Sequence, residues 1–185
     1  MNLQKMFEMQ KVLDDRIIKE KGLEGQDLLP NLILALQVEL AECANEWRGF
    51  KHWSNDREPR NHCKLCQLIE TPHICQNPLL EEYVDCLHFI LSIGNRLGWN
   101  DTDTIDDVVA QHLISEKGFG TAKTFSCLLS IAYGFHFSNV EKRTYISLFT
   151  TFFELGSNLG FKWEQIEAAY MDKNAVNHQR QQEGY

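Results

Sequence analysis

The segment from Asn77 to Gly98 constrains the fold of this chain most. It opens on Asn77-Pro78, an N-cap residue followed by the proline that a first helical turn accepts. It is rich in Tyr, Val, Leu, Phe and Ile, and stops at Gly98, the residue type that helices favour just past their end. A helix to about Leu97 follows. The rest of the chain repeats the pattern. Leu3, Met6, Phe7, Val12, Leu13 and Ile17 fit one amphipathic helix that closes near Gly22. Pro30 suits the first turn of a helix through Asn31–Trp47. Asp101–Asp103 can cap a short helix ending near Gly118, and an apolar segment follows at Thr121–Phe135. Ser138-x-x-Glu141 has the spacing of a capping box, opening a helix to about Leu159. A last helix is expected from about Lys162 to Gln182. Strand-like alternation is nearly absent. The expectation is a single all-α domain over residues 1–185, a bundle of six or seven helices, with the polar stretch 54–77 as a loop.

A faint repeat runs through this pattern. Tyr83…Gly94-Asn95-Arg96-Leu97-Gly98-Trp99 recurs as Tyr145…Gly156-Ser157-Asn158-Leu159-Gly160-Phe161. Under that alignment Glu82 and Asp85 correspond to Thr144 and Ser147, so one copy carries carboxylates and the other does not. A duplication with one active half and a coincidence of glycine punctuation both fit.

Charge narrows the function classes. The chain has 18 Lys+Arg against 26 Asp+Glu, a formal net charge of −8. That balance argues against a protein that grips a nucleic-acid backbone, which needs a basic face. A small phosphate substrate stays open, because metal ions can supply the positive charge. No apolar run has the roughly 18–20 residues of a membrane span, and Met1-Asn2-Leu3-Gln4-Lys5 lacks the apolar stretch of a signal peptide. A cytoplasmic protein with reduced cysteines is expected, with neither membrane nor nucleic acid as partner. Cys43, Cys86 and Cys127 lie among apolar residues and read as buried thiols. Cys63, Cys66, His73 and Cys75 are the types that could close a zinc site. A lone Cys-x-x-Cys fits an ordinary polar loop as well.

The carboxylates carry the functional signal. Glu39, Glu42 and Glu46 are three and four apart and share a helix face. They border Leu36, Leu40, Cys43 and Trp47, so the stripe flanks a core-facing surface. Glu82 and Asp85 share a face of the Asn77–Gly98 helix. A solvated acidic face predicts interspersed Lys or Arg, yet none occurs from Asn31 to Trp47 or from Leu79 to Asn95. Crowded carboxylates without local cations suit hard divalent ions with oxygen ligands, magnesium or manganese. A di-iron bundle is the competing site. Asp85-x-x-His88 imitates half of one, but no second carboxylate-x-x-His is evident. Glu-x-x-Glu with Glu-x-x-Asp matches a magnesium cluster that binds a phosphate chain.

At these residues the chain resembles the dimeric all-α dUTPases of the MazG-like NTP pyrophosphatase superfamily. The resemblance rests on the stretch Phe7–Asp14, on Glu39-x-x-Glu42, on Phe50-Lys51-His52-Trp53 and on Glu82-x-x-Asp85-x-x-His88-Phe89. It ends on Tyr170-x-x-Lys173-Asn174-x-x-Asn177-x-x-Arg180-Gln181-x-x-Gly184-Tyr185. It implies a homodimer that hydrolyses dUTP, and often dUDP, to dUMP. Two or more magnesium ions, or manganese, would be held by Glu39, Glu42, Glu82 and Asp85. It makes Glu39 the general base, with Glu46 as local competitor. Lys173, Asn177 and Arg180, at i, i+4 and i+7, form one polar stripe whose cations can meet phosphates. Gln10 and Asp14 share a face and are candidates for reading the base. Lys51, Trp53, His88 and Phe89 complete the expected substrate contacts. A pyrophosphatase for another nucleoside triphosphate and a non-catalytic helical protein-binding module are the rival readings.

Overall fold

A computed structural model describes residues 2–62, 77–114, 118–137 and 140–184. Among them run seven helices and no strand: α1 (Leu3–Glu20), α2 (Leu29–Trp47), α3 (Pro78–Leu97), α4 (Thr102–Ile114), α5 (Thr121–Gly134), α6 (Lys142–Asn158) and α7 (Trp163–Gln182). No described helix is long and apolar enough to cross a membrane.

Local chemistry sets the ends. The Asn2 side chain accepts from Lys5 N, and Asn77 Oδ1 accepts from Leu80 N at 3.0 Å, so each asparagine satisfies an orphan N–H of its helix. Asp101 Oδ1 does the same for Thr104 N at 3.0 Å, opening α4. Gly98 and Gly160, at φ 70° and 81°, occupy the left-handed region that lets the chain turn away. Arg48 also lies in that region, at φ 61°, where a side chain is strained. Its guanidinium offsets this by gripping Asp56, through the carbonyl at 3.0 and 2.9 Å and the carboxylate at 3.0 Å. The expected capping box is not the start of α6. Glu141 is the N-cap, without a side-chain cap bond, and Ser138 lies outside the described residues. Residues 115–117 do too, so the described part of α4 closes at Ile114 and the expected end near Gly118 falls beyond it.

α3 is the central element, with Tyr83, Val84, Cys86, Leu87, Ile90 and Leu91 among its buried residues. α2 lies along it, α1 and α7 flank it, and α6 packs with α4 and α5. One hydrophobic cluster draws on all seven helices. Cys43 and Cys86 are buried against each other between α2 and α3; Cys127 is half-buried. The buried stripe of α1 holds Leu3, Met6, Phe7 and Leu13 as expected, together with Gln10, which the expected stripe lacked. Val12 is 62% exposed. Its angular position lies off the stripe at 100° per residue.

The repeat has a reciprocal structural counterpart. Tyr83 Oη donates to Phe152 O and Tyr145 Oη donates to Ile90 O, each at 3.0 Å. Both tyrosines are fully buried, so each hydroxyl needs the bond it has. Tyr83 meets Phe161 and Tyr145 meets Trp99 in matching ring contacts. α4 packs on α6 as α7 packs on α3. Gly94 and Gly156 make room for this exchange: a Cβ on Gly94 would strike the Tyr145 hydroxyl, and one on Gly156 the Tyr83 hydroxyl. Gly156→Ala is therefore expected to destabilise the fold by about 1–3 kcal/mol, as overpacking does. Thermal unfolding of Gly156→Ala, alone and with Tyr83→Phe, checks this. The second change removes the struck oxygen, so the double variant should lose less than the sum of the two single losses.

Candidate metal and substrate site

Packing of α2 on α3 brings the expected acidic motifs together. One carboxylate oxygen each from Glu39, Glu42 and Glu82 lies within 4.8 Å of the others. The i, i+3 spacing on α2 puts Glu39 and Glu42 on the face that meets Glu82, while Leu36, Leu40 and Cys43 beside them fix the helix in the core. Glu39 and Glu82 are half-buried and Glu42 is exposed. Burial pushes the Glu39 carboxyl up to about 7, with Asp85 and Glu42 adding repulsion. The Glu82 carboxyl rises to about 7, again through burial first and then Asp85, Glu39 and Glu42. An all-oxygen donor set under this repulsion fits a hard divalent cation. Among the described residues no histidine joins the group, which removes the ligand type that the di-iron reading requires.

The cations come from elsewhere in the chain. Lys173 Nζ on α7 lies 2.7 Å from Asp85 Oδ2 and 3.0 Å from Glu81 Oε1, so the α2 and α3 acids are not wholly without basic partners as the local sequence suggests. Burial raises the Asp85 carboxyl, and the bond from Lys173 opposes that rise. Asp85 thus stands beside the three glutamates while paired to a lysine. Glu46 is drawn away: its Oε1 lies 3.0 Å from Arg60 Nη1, and its backbone oxygen accepts from Arg60 N. Of the two glutamates competing as base, Glu39 stays in the cluster and faces the cavity.

That cavity, of about 630 Å³, lies between α1, α2, α3 and α7. It is lined by Gln10, Asp14, Glu39, Asp85, His88, Phe89, Lys173, Asn177 and Arg180, nine of the expected site residues, and by Ser92, Arg96 and Gln181. Along α3 its wall runs from Asp85 through His88 to Ser92, about 10 Å at the rise of a helix. α1 and α7 run side by side in the same direction, because Tyr170 Oη reaches Met6 O at 3.1 Å and Arg16 Nη1 reaches His178 O at 3.1 Å.

A polar network fills the wall away from the carboxylates. Gln10 Nε2 donates to Asp14 Oδ1 at 2.8 Å and to Ser92 Oγ at 3.1 Å. Ser92 Oγ donates to the same Asp14 oxygen at 3.0 Å. Gln10 Oε1 lies 2.6 Å from His88 Nδ1 and 3.2 Å from Tyr170 Oη. The His88 ring stacks on Tyr170 with centroids 4.4 Å apart. Burial, helped by Lys173, lowers the His88 pKa to about 3 and keeps the ring neutral. Burial also raises the Asp14 carboxyl to about 6, against the bonds from Gln10 and Ser92.

Two expected substrate contacts are not brought to the cavity. Trp53 is 68% exposed, edge-on to Phe50 and His52. Lys51 Nζ sits 5.5 Å from the Phe50 ring centroid. Phe50 in turn stacks on Trp47, so this turn packs outward from α2. Cys63, Cys66, His73 and Cys75 lie outside the described residues. Sequence reasoning missed Ser92 and the contacts of Tyr170 with Gln10 and His88. Their one signal is polarity at a core register of α3 and α7.

A family model described as dUTPase matches residues 2–185. No curated protein matches the chain significantly.

The raised carboxyls have a consequence for stability. Glu39, Glu82 and Asp14 bind protons more readily folded than unfolded, so stability falls as pH rises from their ordinary range toward about 7. For the half-exposed Glu39 and Glu82 the loss is on the order of 1 kcal/mol each after screening by solvent. Metal-free protein is expected to melt at a lower temperature at pH 7.5 than at pH 5.5. Glu82→Gln should flatten that slope in thermal unfolding with chelator present.

Proposed function

The chain belongs to the dUTPase family, and from that premise we propose that it hydrolyses dUTP, and dUDP, with magnesium held by Glu39, Glu42, Glu82 and Asp85. The observation that carries the metal reading is the convergence of Glu39, Glu42 and Glu82 within 4.8 Å at one end of a cavity that Lys173, Asn177 and Arg180 also line. Magnesium there would supply positive charge to the phosphate chain and make a nearby water more acidic; manganese has the same hard-oxygen preference.

The chain's own residues do the rest. A water attacks the α-phosphorus and the bond to the bridging oxygen breaks, releasing pyrophosphate from dUTP or phosphate from dUDP. Glu39 accepts the proton of that water. It sits in the cluster and on the cavity wall, which supports it over Glu46. Lys173 and Arg180 neutralise the departing phosphates; for Lys173 this means exchanging its bond to Asp85 for one to substrate, which frees Asp85 as a ligand. The base end of the nucleotide lies toward Asp14, His88 and Ser92, along α3 from the carboxylates, with Phe89 beside the sugar. We further infer a homodimer in the cytoplasm. Leu34 and Val38, one turn apart on the outer face of α2 and exposed, support a surface for the second copy.

Release of pyrophosphate or phosphate across a panel of nucleotides, with magnesium and with chelator, tests this reading. dUTP should outpace dCTP, dTTP and dATP, and chelator should stop turnover. Equal rates for dUTP and another nucleotide would transfer the assignment to a broader pyrophosphatase. Glu42→Gln is expected to lower kcat at least a thousandfold while the helical circular dichroism stays unchanged. Undiminished turnover in that variant would remove Glu42 from the metal site.

A further inference from the structure

Gln10 has no N–H donor left for a ligand. An amide offers two N–H donors and two lone pairs on its oxygen. The donors go to Asp14 and Ser92, and the oxygen faces His88 Nδ1 and, at 3.2 Å, the Tyr170 hydroxyl, whose single proton is shared with Met6 O at 3.1 Å. The amide cannot be turned over, because its oxygen would then stand 2.8 Å from the Asp14 carboxylate oxygen. An oxygen acceptor 2.6 Å from His88 Nδ1 requires the proton on that nitrogen. Buried and neutral, His88 then carries a bare lone pair on Nε2. That atom is buried and has no hydrogen-bond partner, although the residue lines the cavity and is only 5% exposed. A buried polar atom without a partner is uncommon and calls for a ligand or water to complete it.

We propose that Gln10 is a positioning residue that fixes the tautomer of His88, so that two hydrogen-bond acceptors, His88 Nε2 buried in the cavity wall and the Asp14 carboxylate, are left for a pyrimidine nucleoside that carries an N3–H. Both donors to Asp14 converge on Oδ1, so its carboxylate keeps an accepting character toward the cavity. Uracil offers N3–H to such a pair, and the deoxyribose offers its 3′-hydroxyl. Cytosine has a lone pair at N3 and meets an acceptor with an acceptor. Leaving a buried polar group unpaired is the strongest form of discrimination a pocket has. The inference rests on the dUTP reading and adds to it the device that refuses cytosine. Gln10 thereby acts through its neighbours rather than by touching the base.

The test combines a spectroscopic reading of His88 with a selectivity ratio. ¹⁵N–¹H correlation spectra of histidine-labelled protein, with His88 assigned by His88→Asn, should show the proton on Nδ1 in the wild type. In Gln10→Leu the proton should move to Nε2, and the ratio of kcat/KM for dUTP over dCTP should fall at least tenfold. Ser92→Ala should keep the Nδ1–H signal, because it leaves the Gln10 oxygen in place. A wild-type spectrum with the proton on Nε2 in an enzyme that turns over dUTP overturns the proposal alone, and needs no variant to fold. So does a Gln10→Leu protein that keeps both the Nδ1–H signal and the ratio. Hydrolysis of no nucleotide at all overturns the proposal together with the reading beneath it.

Discussion

The mutual repulsion of carboxylates on α2 and α3 is the constraint around which the rest of the molecule is arranged. Glu39, Glu42 and Glu82 are forced together by the same packing that buries Leu36, Leu40, Cys43, Tyr83 and Cys86. The helices cannot separate to relieve the charge without exposing that core, and each large apolar side chain exposed costs about 1.5–3 kcal/mol. The repulsion, added to burial, is met instead by a raised affinity of Glu39 and Glu82 for protons and by a lysine from the far end of the chain. A divalent cation meets it more fully than either. Stability is spent on holding charge in place, as sites built for chemistry often require.

Around that centre the fold sorts its polar groups by task. Lys173 reaches the acidic end from α7, whereas Arg60 takes Glu46 out of it. Along α3 the hydrogen-bonded network of Gln10, Asp14, Ser92, His88 and Tyr170 stands away from the glutamate cluster. The two ends differ in character. One gathers like charges that a cation would neutralise, and the other is almost closed upon itself, with His88 Nε2 among the buried polar atoms that lack a partner. A phosphate chain and a base meet these two requirements in one molecule. The reciprocal tyrosines Tyr83 and Tyr145 hold the α3 and α6 halves in register beneath both ends.

What was legible in the sequence follows from range. Helix starts and stops at Asn77-Pro78 and Gly98 are encoded by neighbouring residues, and the helix forms where they place it. The acidic site was legible because i, i+3 spacing fixes which carboxylates share a face, and the missing local Lys and Arg mark that face as unusual. The Gln10 network joins residues 78 to 160 positions apart, and no local pattern reports such pairings. Val12 was misplaced for a related reason: an apolar residue off the stripe was given a core position, while the polar Gln10 on the stripe was not. Lys51 and Trp53 share a short motif with the expected site, yet Arg48 and Phe50 turn that segment outward.

Metal binding tests the central claim most directly. The free-ion signal of Mn²⁺ in electron paramagnetic resonance counts the ions taken up by the chain, with and without a non-hydrolysable α,β-imido analogue of dUTP. The account predicts at least two ions per chain with the analogue present, and the loss of at least one in Glu42→Gln. No uptake beyond weak surface binding, or the same count in Glu42→Gln, would contradict it.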